Sequence, residues 1–218
     1  AEVFVIEAVT GFGQFAEKEH FTIRLPQYYQ TFGASLGESL EEAYEYFQEL
    51  GFNLTIPNHP YGALDSVVVC LNFFDTGMGI VPSWFEFTPG VIRPLLLVND
   101  TVLAASLNKE TRLEAVAGLF GLIQGYYDAL RNENNWFNFG AREWFMGKYS
   151  GDTSYTPDSF NVYPLGPLKG FRPYTIEPVP RNKLWLMGSF SAFVAHLDSR
   201  YNILGGDRVL RTIYDEMY

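Results

Sequence analysis

Few side chains in this sequence are suited to catalytic or metal chemistry. His20, His59 and His196 are the only imidazoles, and no two of them have the spacing of a metal-binding pair on one element. The single cysteine, Cys70, lies in the apolar run SVVVCLNFF, which predicts a buried and inert thiol. Glu143 is expected to pair with a helix end or an arginine. Phosphate-loop, dinucleotide and nucleophile-elbow motifs are absent from the sequence.

Three glycines within one predicted helix are the second unusual feature of the sequence. Apolar residues recur at spacings of three and four from Leu113 to Leu130, which predicts an amphipathic helix over 109–131. Gly118, Gly121 and Gly125 lie inside it. Each costs about 1 kcal/mol relative to alanine in a helix interior. Such a cost indicates a functional or packing role for these positions.

The elements that position these residues begin with strands and one helix. Runs of β-branched and aromatic residues predict five strands in the first half of the chain, arranged as a mixed or antiparallel-edged sheet. Pro94 fits an edge or a bulge of that sheet. A capping box at Ser35 and Glu38 predicts the start of a helix, and Gly51 predicts its end. The predicted strands contain AEVFVIEAV, EHFTIRLP, SVVVCLNFF, SWFEF and VIRPLLLVN.

The second half of the chain is predicted to be mainly helical. A short helix is expected over 138–148, a long ordered loop over 150–181, and two final helices separated by Gly205 and Gly206. The sequence has no internal repeat and no recognisable linker. We therefore expect a single α+β domain over 1–218, with 1–108 forming mainly sheet plus one helix and 109–218 mainly helical.

The charge of the chain excludes some classes of partner. A net charge of -10 argues against nucleic acid and anionic membrane surfaces as partners. No run approaches the roughly 18 to 20 apolar residues that a membrane-spanning helix needs. Asn53 and Asn99 each begin a sequon that would accept a glycan in a secreted protein.

Several segments together resemble the zincin metallopeptidases, in the gluzincin-like branch whose third zinc ligand is a glutamate on a following helix. AVAGLFGLIQGYYD resembles the active-site helix, which commonly reads His-Glu-Leu-Phe-His with a Leu-Ile-Gln-like tail. WFNFGAREWF resembles the segment that usually reads Trp-x-x-Glu-Gly-x-Ala-Glu-Trp. HFTIRLP and SLEEAYEYFQELGF resemble the first strand and the helix behind the sheet, and FSAFVAHLDSRY resembles part of the last helices. The resemblance covers nearly the whole chain.

The resemblance also implies which positions have lost their chemistry. Aligned on the LIQ tail, Ala117 stands at the first zinc-binding histidine, Gly118 at the catalytic glutamate and Gly121 at the second histidine. Phe139 stands at the third ligand, the glutamate. A catalytic zinc needs about three nitrogen, sulfur or carboxylate donors, and none of these four side chains offers one. We therefore expect no metal, no cofactor and no catalytic residue at these positions.

The resulting hypothesis is a metallopeptidase-like domain without activity that binds a protein or peptide or works in a homo-oligomer or a larger assembly. The resemblance implies an edge strand above the 109–131 helix, where SWFEF could pair with a peptide, and an extracellular, cell-surface or periplasmic location. The candidate cleft-lining residues are Trp84, Phe85, Glu86, Phe87, Gln124, Glu143 and His196.

Three alternatives stay open at this point. The chain could be a structural component of an extracellular or cell-surface assembly, in which case the cleft would be filled by side chains. It could be a hydrolase with relocated catalytic groups around His196, Glu143 and the tyrosines. The glycines could also be packing residues of an unrelated fold, which predicts that no sheet edge runs above their helix.

Overall fold

A computed structural model describes residues 16–56, 59, 62–72, 79–99, 109–127, 136–150 and 208–217 of the chain. The chain divides into two compact units, Ala1–Tyr126 and Tyr127–Tyr218. The first unit holds the sheet described below. The predicted first strand AEVFVIEAV, the 150–181 loop and the helix that would contain His196 lie outside the described residues, apart from the helical Ser150.

The described strands form one mixed sheet in the order β1-β2-β3-β5-β4. The inner pairs β2·β3 and β3·β5 are parallel, whereas β1 and β4 pair antiparallel with their neighbours and form the two edges. This arrangement confirms the predicted α+β class and the mixed sheet with antiparallel edges. The strands are β1 Ala16–Glu17, β2 Phe21–Arg24, β3 Val67–Asn72, β4 Ile80–Thr88 and β5 Val91–Asn99.

Four α-helices are described. A short 3-10 helix, Gln27–Tyr29, leads into the first of them. The 109–131 prediction corresponds to the second helix, which is described up to Tyr127, and the 138–148 prediction to the third, which is longer at both ends. The helices are α1 Gln30–Glu49, α2 Lys109–Tyr127, α3 Trp136–Ser150 and α4 Arg208–Met217.

The start predicted for α1 is wrong, and its predicted end is confirmed. The helix begins five residues before Ser35, whose hydroxyl donates to the Thr31 carbonyl inside the helix and caps nothing. At the other end, Gly51 has a φ of 89°. The Gly51 and Phe52 amides donate to the Gln48 and Phe47 carbonyls, which is the Schellman pattern.

Both α1 and α2 pack on the same face of the sheet. Ile23, Leu96 and Pro82 share this face because the strand registers align them through Val69. Gly33 of α1 approaches Ile23, and Gly118 of α2 approaches Leu96.

Aromatic rings fill the space between the two helices. Phe47 of α1 stacks on Phe120 of α2 with ring centroids 5.2 Å apart, and Phe52 meets both rings edge-on. All three side chains are buried. This contact fixes α1 and α2 against each other as well as against the sheet.

The opposite face of the sheet is apolar too. Val68, Cys70 and Leu95 form a buried cluster there, and the partly buried side chains of Phe85 and Leu97 pack against it. Burial of both faces explains why β3 is a continuous apolar run without alternation.

Pro94 lies in an inner strand and not in an edge strand, which corrects one reading of the sequence. It is tolerated because β3 pairs with β5 only from Leu95 onward. The strand β5 continues beyond the end of β3 as a two-stranded ribbon with β4, in which Pro94 stands opposite Trp84.

Candidate functional site

The three glycines of α2 lie directly beneath the edge strand β4. A Cβ added to Gly118 would lie 2.5 Å from Ile80 Cγ2, and one added to Gly121 would lie 2.6 Å from Pro82 Cγ. At Gly125 it would overlap the Trp84 indole. Because carbon atoms in contact are normally about 3.5–4.0 Å apart, none of these positions has room for a methyl group without a shift.

The spacing of the contacts follows from the geometry of the two elements. Alternate residues of β4 face the helix, and they meet glycines that are three and four residues apart on one face of α2. Four strand steps span about 13 Å and seven helix steps about 10 Å, so a strand that crosses the helix obliquely keeps all three pairs in register. The glycines form a notch, and β4 fills it.

This packing tests whether the residues fit the zinc that the resemblance implies. Ala117 is fully buried and has no donor atom, and the notch at Gly118 and Gly121 is closed by Ile80 and Pro82. Neither the donors nor the space for a metal exists at these positions, so the residues do not fit zinc. Within the described part of the chain, no group of three or more His, Cys, Asp or Glu residues is placed to hold a metal ion.

The predicted cleft-lining residues separate when they are placed in the structure. Trp84 fills the notch at Gly125, whereas Phe85 lies on the opposite face of the sheet, beside the Cys70 cluster. Glu86 is exposed and accepts a hydrogen bond from the Gly90 amide at 2.6 Å, while Gln124 is buried in α2. His196 and the side chains of Phe87, Phe139 and Glu143 lie outside the described residues.

The outer edge of β4 has a defined hydrogen-bonding pattern. The Asn99 amide donates to the Gly79 carbonyl, so the odd-numbered residues of β4 bond to β5 and the even-numbered ones direct their backbone groups outward. Ile80 and Glu86 therefore present backbone groups on the outer side. Pro82 stands between them without an N–H, which interrupts the row of donors.

Sequence reasoning missed a polar tie between α1 and the sheet. Glu41 accepts hydrogen bonds from the His20 backbone amide at 2.9 Å and pairs with its Nδ1 at 2.7 Å. The His20 ring also stacks on Tyr44, 3.8 Å between centroids. Burial, with the carboxylates of Asp65 and Glu41 contributing, raises the pKa of Tyr44 to about 12. The tie joins residues 21 apart in sequence, and the sequence offers no signal for it.

His59 is another residue whose role the sequence did not reveal. The sequence suggests a turn residue, yet its side chain is only 6% exposed and its Nε2 lies 2.7 Å from the Tyr126 carbonyl of α2. Burial lowers the pKa of His59, and the hydrogen bond to the Tyr126 carbonyl opposes part of that shift.

The single cysteine and the two sequon asparagines differ in their exposure. Cys70 is buried, as predicted, and burial raises the pKa of its thiol to about 12, so thiolate chemistry is suppressed. Of the two sequon asparagines, Asn53 is exposed and Asn99 is buried in β5.

Comparisons with known proteins add no relative: no family model, no curated protein and no solved structure matches the chain. Among the helices of the described residues, none has the length and hydropathy to cross a membrane.

Proposed function

We propose that this chain is a metallopeptidase-like domain without peptidase activity, and that it works as an assembly module. The observation that carries the proposal is the closure of β4 onto the glycine face of α2. In an active enzyme of the family that the sequence resembles, this helix face would carry two zinc ligands and the catalytic glutamate. Here Ile80 and Pro82 occupy that space.

The closed notch favours assembly over peptide capture between the helix and the strand. A peptide that bound there would need a gap, and at Gly118, Gly121 and Gly125 the strand side chains touch the helix backbone. The edge strand β4 lies above α2, and this is the arrangement that the family resemblance implies. The alternative of an unrelated fold with packing glycines predicted that no sheet edge would lie there.

The test of the inactive module combines zinc uptake with peptide cleavage. The full chain is incubated with zinc, dialysed and analysed for metal by mass spectrometry, and its products on an unbiased peptide library are sequenced. We expect no stoichiometric zinc and no cleavage. Zinc-dependent cleavage that a chelator abolishes would overturn the proposal.

The assembly role is tested by sedimentation. We expect the full chain to form a defined oligomer or complex over a concentration series in analytical ultracentrifugation, because an assembly module must present a stable protein contact. A chain that stays monomeric at all concentrations and binds no co-expressed neighbour in a size-exclusion assay would contradict this role.

A second candidate function is strand pairing on the outer side of β4. Its support is the position of β4 at the end of the strand order, with the backbone of Glu86 directed outward. Pro82 restricts such pairing to the part of the strand beyond it. This region corresponds to SWFEF, the segment that the sequence already suggests.

The two substitutions Glu86→Pro and Glu86→Ala test strand pairing. Proline removes the outward N–H, whereas alanine removes the carboxylate and keeps the backbone donor. Peptides selected from a random display library are titrated against each variant by fluorescence polarisation. Pairing through the backbone predicts lost affinity for the proline variant only, and equal loss in both variants would show that the carboxylate is what binds.

A further inference from the structure

The segment that follows α1 alternates between buried and exposed side chains. Phe52 and Leu54 are buried, whereas Asn53 and Thr55 are exposed. Phe52 packs edge-on against the aromatic rings between α1 and α2. The two buried side chains thus anchor the segment and leave Asn53 and Thr55 at the surface.

The backbone of the same segment is fastened along its length. The Phe52 amide donates to the last turn of α1 at 3.1 Å, and the Leu54 carbonyl accepts the Leu64 amide at 2.9 Å. The Ile56 amide donates to the Tyr126 hydroxyl of α2 at 2.7 Å. None of these contacts involves a side chain at position 53, so a group added there leaves all of them in place.

Asn53, Leu54 and Thr55 form a triplet that has the chemistry of an N-glycan acceptor. Asn-x-Thr is the pattern that the oligosaccharyltransferase of the secretory pathway recognises. In the transfer, Asn53 Nδ2 bonds to the anomeric carbon of a lipid-linked oligosaccharide and releases one proton. The bond from that carbon to the diphosphate breaks, and the lipid diphosphate leaves.

The one side-chain hydrogen bond that fixes the triplet is compatible with the modification. The Thr55 amide donates to Asn53 Oδ1 at 3.1 Å. This bond uses the oxygen of the Asn53 amide, and the glycan is attached to the nitrogen. A glycosylated Asn53 therefore keeps the same turn.

The second sequon, which begins at Asn99, has the opposite environment. Asn99 is buried at the end of β5, and its backbone amide donates to the Gly79 carbonyl at 2.9 Å. A glycan there would force a bulky group with many hydroxyls into the end of the sheet, where burial of unpaired polar groups is unfavourable. A chain with a glycan on Asn99 cannot reach this fold.

We infer that Asn53 is a glycan-attachment site of this chain and that Asn99 is not. The inference is independent of the assembly role and rests on the extracellular location that the family resemblance implies. An N-linked glycan is bulky and hydrated. It would cover the surface at the C-terminal end of α1, so partners of the chain would dock elsewhere.

Expression of the full chain in cultured animal cells, behind a cleavable signal peptide, tests the inference. The secreted chain is treated with peptide N-glycosidase, which converts a glycosylated asparagine to aspartate, and its peptides are analysed by mass spectrometry. We expect conversion at Asn53 and none at Asn99, with a gel shift equal to one glycan. If the cells retain the chain, the soluble protein of their endoplasmic reticulum is analysed in the same way. An unconverted Asn53 or a converted Asn99 would overturn the inference.

Two substitutions remove the Asn53 sequon in different ways. Asn53→Gln deletes the acceptor, whereas Thr55→Ala keeps the acceptor and removes the hydroxyl of the recognition pattern. Both should abolish the gel shift. Thr101→Ala is the matched control, because it removes the second sequon without altering the buried Asn99, and it should keep the full shift. A shift that persists in Thr55→Ala or disappears in Thr101→Ala would contradict the assignment.

Urea titration tests whether the fold accommodates the glycan. The glycosylated chain and the unglycosylated Thr55→Ala variant are compared. We expect the same unfolding midpoint for both, because the contacts that fasten the segment do not use the Asn53 side chain. A lower midpoint for the glycosylated chain would show that the sugar disturbs the segment, and the inference would fail.

Discussion

The helices α1 and α2, which pack on the same face of the sheet, both place glycine at their contacts with the strands, but with different consequences. In α1, a Cβ added to Gly33 or Gly37 would meet Ile23 Cγ2 at 3.3 Å or Lys18 Cγ at 3.1 Å, and the lysine stem can move. In α2, the corresponding contacts at Gly118 and Gly121 are 2.5 and 2.6 Å, against the Cγ2 methyl group of Ile80 and the ring of Pro82. A methyl group at the α1 glycines therefore needs only a small shift of its neighbours, whereas the packing of α2 against β4 requires glycine.

The contacts differ in what holds them together as well. Side chains of α1 are tied to the β1–β2 region by Glu41 with His20 and by Glu38 with Lys18 at 3.6 Å. At its three glycines, α2 meets the side chains of Ile80, Pro82 and Trp84 of β4 at close range. In so closely packed a contact an added methyl group costs about 1–3 kcal/mol, because neighbouring side chains and backbone must shift to make room for it.

Restoring the family motif should have the largest effect. The triple substitution Ala117→His, Gly118→Glu and Gly121→His places three large polar side chains in a closed apolar contact. We expect a loss above about 5 kcal/mol, enough to unfold a typical domain. Circular dichroism and urea titration would measure it, with histidines at the exposed positions Glu45 and Glu49 as a control. A folded variant that binds zinc would show that the notch can open.

A single methyl group in the notch should have the next largest effect. Gly121→Ala is expected to destabilise the fold by about 1–3 kcal/mol, because the rigid Pro82 ring cannot yield and overpacking outweighs the gain in helix propensity. Combining it with Pro82→Ala makes room for the methyl group. A double-mutant cycle from urea titrations should show a favourable coupling of about 0.5–3 kcal/mol, and strict additivity would mean that the two residues do not meet.

Removing the polar tie of α1 should have an intermediate effect. Glu41→Ala deletes the acceptor of two hydrogen bonds at His20 and should cost about 1–2 kcal/mol. Thermal unfolding measures the change, and Glu45→Ala on the exposed face of the same helix is the matched control. Equal losses of stability in the two variants would show that the contact between Glu41 and His20 contributes no more than a surface ion pair.

The smallest effect is expected at the flexible contact of α1. Gly37→Ala should be neutral or stabilising by up to about 1 kcal/mol, because the Lys18 stem can shift and alanine favours the helix. Urea titration beside Gly121→Ala gives the comparison directly. A loss as large as that of Gly121→Ala would remove the distinction between the two helices.

The sequence predicts those parts of the fold whose signals are local. Apolar runs locate β3, β4 and β5, and the Gly51 signal locates the end of α1. The start of α1 is not predictable from Ser35, because the helix continues toward its N-terminus where Gly33 packs on Ile23 of β2. A tertiary contact outweighs the capping preference at that end.

The candidate site divides in the same way. That the glycines need a partner can be read from the sequence, but the identity of the partner cannot. Whether Ile80, Pro82 and Trp84 or their odd-numbered neighbours face α2 depends on the register of β4 against β5. Likewise, His59 and Tyr126 are 67 residues apart, and only the fold brings them together.

Pro82 has a consequence for the behaviour of the chain before it is fully folded. The β4–β5 hairpin contains two nine-residue apolar strands, and such a hairpin, formed before α2 docks, is a template on which other chains could stack and aggregate. Pro82, whose ring later packs against Gly121, has no backbone N–H and so removes one hydrogen-bond donor from the exposed edge of that hairpin. The same residue thus contributes to the native packing and reduces self-association of the chain during folding.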